Sequence, residues 1–208
     1  SERSALISAG VLSLLALAIG SLIRLEFTLV LIGYLLLMLA YNLGLKNWPI
    51  LDVFAIGGGF VLRAAGGAVA IAVPISPWLY VCTMLLALLV GFTKRRQELA
   101  FLESRAHLHR ESLTGYSLPV LDQYITILAA ATIIAYSVYT FDAAAVPRNH
   151  AMMLTIPFVA YGVFRFLEIA RQSELGGRPE ALLFADKPLL ISLVGWGIAS
   201  AVIVLLTG

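Results

Sequence analysis

Charge is what this sequence has least of. Only 12% of its 208 residues are Asp, Glu, Lys or Arg, where an ordinary soluble domain carries about 25%. With 61% apolar residues and a mean hydropathy of +0.95, the chain is made for lipid rather than water. A single cysteine, Cys82, excludes an internal disulfide and a cysteine-based metal cluster; inside an apolar run it reads as a small core residue. Neither strand-like alternation nor a low-complexity linker is present, which leaves an all-helical bundle. An initiator Met and a convincing cleavage site are also lacking at the first apolar run. With six further runs behind it, that run reads as a true span and not a signal peptide, in a chain whose beginning is expected to be missing.

Crossing about 30 Å of hydrocarbon takes about 20 apolar residues in a helix. Apolar runs at 5–23, 27–41, 53–73, 78–93, 120–141, 151–167 and 188–206 predict about seven spans, some of them short. The break at 24–26 leaves room only for a tight helical hairpin, and Pro74 with Pro77 marks a second. Seven crossings place Arg3, Lys46, Lys94, Arg95, Arg96, Arg105, Arg110, Arg171, Arg178 and Lys187 on one side, and only Arg24 and Arg148 on the other. The excess of cations marks the cytoplasmic side. The N-terminus and the long loops are thus expected inside, and the C-terminus outside.

The third run is unusual in carrying Arg63 near its middle, together with Gly57, Gly58, Gly59, Gly66 and Gly67. Glycines in spans are kept where backbones approach closely, so these five read first as packing residues, with substrate clearance as the alternative. The Gly-Gly-Gly run lacks the strand and the Lys-Ser/Thr of a phosphate loop. An Arg in mid-span costs about 2.5–3.5 kcal/mol even on the lenient insertion scale, so it should face a cavity or a partner. Asp52, eleven residues earlier, falls within about 20° of Arg63 on a helical wheel. The two are too far apart to pair directly, about 16 Å along a continuous helix, but are expected to line one cavity. Tyr41, Lys46 and Trp48 precede them, and an interfacial belt with a snorkelling Lys is the plainer reading there.

Residues 94–116 hold five of the fourteen Lys and Arg residues, and 94–119 is expected to be a cytoplasmic basic loop. If the fourth helix continues past the lipid, Lys94 and Glu98 are i,i+4 neighbours and share a face with Arg105. Such a surface suits phosphate and diphosphate; a plain positive-inside loop is the alternative. His107 and His109 suggest a metal pair by type, but no third ligand goes with them, and solvated residues are the better reading.

In order and spacing, several of these residues resemble the UbiA prenyltransferase superfamily, and within it the decaprenyl-phosphate phosphoribosyltransferase branch. They are Tyr41, Leu45 with Lys46, Asp52 with Val53, Arg63 to Gly67, Lys94-Arg95 with Glu98-Leu99, and Arg110 with Ser112-Leu113 and Tyr116. Ile156-Pro157-Phe158, Arg165, Gly177, Pro179-Glu180 and Asp186 extend the resemblance over nearly the whole chain. It implies a nine-helix membrane enzyme with a cytoplasm-facing cavity. Such an enzyme joins phosphoribosyl pyrophosphate to a polyprenyl phosphate with Mg²⁺, releases pyrophosphate, and feeds cell-envelope arabinan synthesis. The lipid bilayer is then a partner, nucleic acid is not, and a homo-oligomer stays open.

Carried over residue by residue, the resemblance gives Lys94 and Arg95 to donor phosphates and Glu98 to a metal, ribose or orienting contact. Lys46 and Arg63 go to phosphate or pyrophosphate, and Arg110 with Tyr116 to closing a loop over the donor. Asp52 would orient Lys46 or join the metal shell, alongside Tyr41 on the substrate side. Asp186 is open between substrate ligand and helix cap. Two departures qualify the likeness. The N-D-x-x-D-type motif that holds Mg²⁺-diphosphate in the family is not in this chain, whose first span resembles the third family helix. On the sequence as it stands the chain is expected to be inactive alone. Lys94 to Leu99 stands where aromatic prenyltransferases carry a second aspartate motif, which favours an anionic sugar donor. Prenyl transfer to an aromatic acceptor is the alternative within the family, and an anion transporter, with Arg63 and Asp52 at midplane, the alternative outside it.

Overall fold

The computed structural model describes residues 2–74, 76–103, 115–142, 149–172 and 185–207. Among them seven α-helices and two 3₁₀ turns occur, with no strand. In chain order the helices are α1 (Glu2–Ile23), α2 (Leu25–Leu43), α3 (Leu51–Ala70), α4 (Pro77–Glu103), α5 (Leu118–Asp142), α6 (Ile156–Gln172) and α7 (Lys187–Thr207). Among the described residues five segments are long and apolar enough to cross a membrane, against about seven expected, and a shorter apolar helix covers Ile7–Ile23. The expected polytopic helical membrane protein is the observed one. The chain divides into two compact units, Ser1–Ile75 and Ser76–Gly208.

In the first unit, α1 and α2 form the hairpin expected at residue 24. Arg24 alone leaves the helical region, at φ −161° and ψ 147°. Gly20 makes the close turn possible, because a Cβ there would stand 2.8 Å from Leu31 Cδ1. Helix α3 lies along α2 on the same principle. A Cβ at Gly58 would meet Leu37 at 3.2 Å, at Gly59 Met38 at 3.1 Å, and at Gly66 Phe27 at 3.4 Å. The packing reading of these three glycines holds, whereas Gly67 has nothing within 4 Å. Helix α3 ends earlier than its apolar run, at Ala70, with Ala72 at φ 58° just beyond.

In the second unit, α4 and α5 are tied near both ends. Trp78 Nε1 donates to Asp142 Oδ2 at 3.1 Å, and Arg96 Nε donates to Asp122 Oδ1 at 2.9 Å. Leu88, Leu89 and Phe92 of α4 meet the core of the unit with Leu121 and Ile125 of α5, Val163 and Phe166 of α6, and Leu189 of α7. Helices α6 and α7 run antiparallel, joined by Ser192 Oγ donating to the Phe158 carbonyl at 2.7 Å. A 3₁₀ turn, Ala151–Thr155, leads into α6; Pro157, which has no N–H to continue an α ladder, suits the first turn that follows. Large apolar side chains also face outward, among them Leu14, Leu22, Ile191 and Leu205. Water would not tolerate so many, and hydrocarbon does.

One polar chain crosses this apolar interior. Trp196 Nε1 donates to Tyr136 Oη at 2.6 Å, Tyr136 Oη meets Thr155 Oγ1 at 2.6 Å, and Thr155 Oγ1 donates to the Met152 carbonyl at 2.6 Å. Counting protons orients it. Trp can only donate, and Thr155 has already given its proton to Met152, so Tyr136 donates to Thr155 and accepts from Trp196.

Candidate functional site

In the first unit, α2 ends at Leu43, close after Tyr41, and the chain then makes the 3₁₀ turn Leu45–Asn47 that carries Lys46. Lys46 is half-buried and has no hydrogen bond or ion pair among the described residues. Between it and Asp52 the backbone is strained. Ile50 has φ 69° and ψ −52°, and the Leu51 N–H reaches back to the Pro49 carbonyl at 2.8 Å. That is a γ-turn of the rare hand, adopted by a β-branched residue that strongly resists positive φ. Strain of this kind costs on the order of 1–3 kcal/mol and gathers at functional sites. Here it sits between two residues that the resemblance marks.

Asp52 and Arg63 lie on one continuous helix, as the wheel required, yet in different surroundings. Asp52 is 0% exposed in the first turn of α3. Arg63 is exposed, and its Nη1 donates to Tyr34 Oη at 3.0 Å. Its guanidinium carbon stands 4.4 Å from the centre of the Phe60 ring and 5.5 Å from that of Tyr34. Among the described residues it has no carboxylate partner. The expectation of one cavity lined by both residues gives way to a buried carboxylate and an accessible cation. The reading of Arg63 as half of a structural ion pair also finds no partner in its own unit.

In the second unit α4 continues to Glu103, so residues 94–103 are helix rather than loop. The register is as expected, but the pairing is not. Glu98 Oε2 accepts from Arg95 Nη1 at 2.6 Å, three residues away, and does not pair with Lys94. The reason is burial. Arg95 is 3% exposed, and a guanidinium taken out of water needs a carboxylate far more than a half-exposed ammonium does. The next two residues anchor the helix end to its neighbours. Arg96 holds Asp122 on α5, and Gln97 Nε2 donates to the Ala170 carbonyl of α6 at 2.9 Å. Ala170 lies in the last turn of α6, where carbonyls lose their intrahelical partners. Lys94 is half-buried and, like Lys46, has no hydrogen bond or ion pair among the described residues.

Tyr116 packs edge-on against Phe92, 6.2 Å between ring centres, and Phe92 in turn meets Tyr124 at 5.3 Å. Its ring is therefore core. Asp186 caps α7 through the Leu189 N–H at 2.8 Å and receives Arg165 through Nε and Nη2, the latter at 2.7 Å. Of the two readings for Asp186, the cap is observed. Arg165, then the Leu189 N–H, hold its carboxyl below the usual carboxylate range. Glu168 takes the remaining Nη1 of Arg165 at 2.7 Å. Arg110, Arg105, Ser112, His107, His109, Gly177, Pro179 and Glu180 lie outside the described residues. An apolar groove of about 460 Å³ between α6 and α7, lined by Phe158, Tyr161, Ile191 and Ser192 among others, contains none of the candidate residues.

Sequence reasoning missed Tyr34, Phe60, Gln97 and Asp122. A lone acid near the start of a span was a usable signal for Asp122. Tyr34 sits unremarkably in an apolar run and gave none. Among the described residues no group of three or more His, Cys, Asp or Glu side chains could hold a metal, and Glu98 already serves Arg95. They do not make up a Mg²⁺ site by themselves. What they do provide is cations: Lys46, Arg63 and Lys94 all lack a carboxylate partner among the described residues.

The sequence profile of the UbiA prenyltransferase family matches residues 1–187. The decaprenyl-phosphate phosphoribosyltransferase of Mycolicibacterium smegmatis is 26% identical over 196 residues, covering 90% of this chain and 61% of the relative. The protein of the same description from Mycobacterium tuberculosis H37Rv is 27% identical over 186 residues, with 89% and 61% covered. That from Corynebacterium glutamicum is 27% identical over 165 residues, with 78% and 49% covered. The chain thus spans at most 61% of the length of these relatives. With the family profile running through nearly all of its helices, the chain belongs to the UbiA prenyltransferase family.

Proposed function

We propose that this protein is an integral-membrane transferase that moves a 5-phosphoribosyl group from phosphoribosyl pyrophosphate to a polyprenyl phosphate. One observation carries the reading: three candidate cations, Lys46, Arg63 and Lys94, have no carboxylate partner among the described residues. Uncompensated cations in so apolar a chain call for an anionic ligand. The relatives' description as decaprenyl-phosphate phosphoribosyltransferases supports phosphoribosyl and polyprenyl phosphates as the anions. In the reaction a phosphate oxygen of the lipid bonds to the anomeric carbon, and the bond from that carbon to the diphosphate oxygen breaks. The electron pair leaves with pyrophosphate, so nothing is oxidised or reduced. The lipid phosphate is already an anion and needs no strong base. In the second unit Lys94, fixed by the anchors at Arg96 and Gln97, would stabilise charge building on the leaving group; in the first unit Lys46 and Arg63 offer cations to a phosphate. The excess of cations on one side supports chemistry at the cytoplasmic face of the cell membrane.

The test uses membranes containing the protein made from its whole reading frame and, separately, these 208 residues. Labelled phosphoribosyl pyrophosphate, a polyprenyl phosphate and Mg²⁺ are added, and label is counted in the lipid phase. Label that requires both the protein and the lipid acceptor is the expected result. Its absence from both proteins, when each is folded, would move the reading to prenyl transfer onto an aromatic acceptor. A transporter would move the donor across the membrane without releasing pyrophosphate.

A further inference from the structure

Arg63 is the thirteenth residue of the 20 in α3. About 10 Å of helix lies between it and the nearer end at 1.5 Å per residue, which puts the residue well inside the apolar stretch. A charge held at that depth faces a cavity or a ligand. Its surroundings are built rather than incidental. The Tyr34 ring packs beside Gly59, one turn earlier on the same face, its Cε2 3.5 Å from where a Cβ would stand. The Tyr34 hydroxyl meets Arg63 Nη1 at 3.0 Å, while the Phe60 face lies 4.4 Å from the guanidinium carbon. The phenol accepts this hydrogen bond and has no other partner among the described residues, so its own proton is left to give. Arg63 spends one N–H of five on Tyr34. The remaining guanidinium donors and the phenol proton form a donor cluster with nothing among the described residues to receive it.

We propose that Tyr34 and Arg63 together form a subsite for a phosphoryl oxygen within the span, in which Tyr34 holds the guanidinium in place and donates a second hydrogen bond to the same anion. This rests on the phosphate-ligand reading above and adds to it a residue from α2. Phe60 contributes by limiting the guanidinium to one plane.

The test is a double-mutant cycle of Tyr34→Phe and Arg63→Ala in the protein from the whole reading frame, purified in detergent. Two readouts are taken: the affinity for inorganic pyrophosphate, and KM and kcat in the label-transfer assay. Tyr34→Phe keeps the ring and its packing, and is expected to weaken pyrophosphate binding roughly tenfold, the scale of one hydrogen bond to a charged group. In the Arg63→Ala background the same change should cost distinctly less, because only the direct hydrogen bond is then lost and the part that acts through the guanidinium is already gone. Equal weakening in both backgrounds, or none in either, would overturn the subsite. Transfer with unaltered kinetics and affinity in Tyr34→Phe would sink it while leaving the proposed reaction intact. No transfer by the unmutated protein, with pyrophosphate binding still coupled through Tyr34 and Arg63, would support the subsite and remove the proposed reaction.

Discussion

Replacing Tyr136 by Phe removes one oxygen from the polar chain that joins α5, the 3₁₀ turn Ala151–Thr155 and α7. The loss is asymmetric. Thr155 keeps its bond to Met152, but the Trp196 N–H loses its acceptor. Tyr136 is only 7% exposed, so water does not replace the phenol oxygen. An orphaned buried donor costs about 1–3 kcal/mol, whereas hydrogen bonds measured between helices in a bilayer average about 0.6 and reach about 1.7 kcal/mol. Trp196 is partly exposed, which favours the middle of that range, and a loss of about 1–1.5 kcal/mol is expected. Thr155→Val should cost at least as much, because it orphans the donating Tyr136 hydroxyl at a site that is itself 0% exposed. The assay is reversible unfolding in mixed micelles, followed by far-UV circular dichroism. Tyr136→Phe combined with Trp196→Phe should show a coupling of about 0.5–1.5 kcal/mol, as expected for groups sharing one hydrogen bond. A stability for Tyr136→Phe within about 0.3 kcal/mol of the parent, or no coupling to Trp196, would refute the proton order assigned to the chain.

Lys94→Ala should raise the donor KM about tenfold or more while changing stability by less than about 0.5 kcal/mol, because its head group makes no bond among the described residues; steady-state kinetics beside a melting curve would separate the two. Glu98→Ala takes the carboxylate from an Arg95 that is 3% exposed, and removing one partner of such a pair should cost about 2–4 kcal/mol in the same unfolding assay. A loss below about 1 kcal/mol would show that the pair is not what keeps Arg95 there. Asp186 sets an acid limit. Its carboxyl is held below the ordinary range by Arg165 and the Leu189 N–H, so its contribution is fully present above the unfolded Asp value of about 3.9. That contribution fades as the pH falls through the lower folded value. Asp186→Asn should therefore flatten the stability profile below about pH 4, as a pH series of unfolding curves would reveal.

The residues themselves determined that the chain is helical and lives in a membrane. Apolar runs of span length have one outcome in lipid, since each backbone polar group must be satisfied inside its own segment. The hairpin at Arg24 and the glycine face of α3 were legible for the same local reason, whereas α4 runs on to Glu103 through residues read as loop. Lys46, Arg63 and Lys94 stood out as candidates because charge is costly and scarce in such a chain. Partnership was not legible. Spacing offered Glu98 to Lys94, but burial of Arg95 in the assembled unit decided the pairing. Asp186 and Tyr116 were chosen as candidates by type and position, and tertiary packing made one a cap and clasp and the other a ring against Phe92. Tyr34 came into view only when α2 and α3 closed on Gly59 and brought together residues 29 apart in sequence. Local periodicity acts within a segment and can be read from it; desolvation and hydrogen-bond pairing arise only between segments, once they have met.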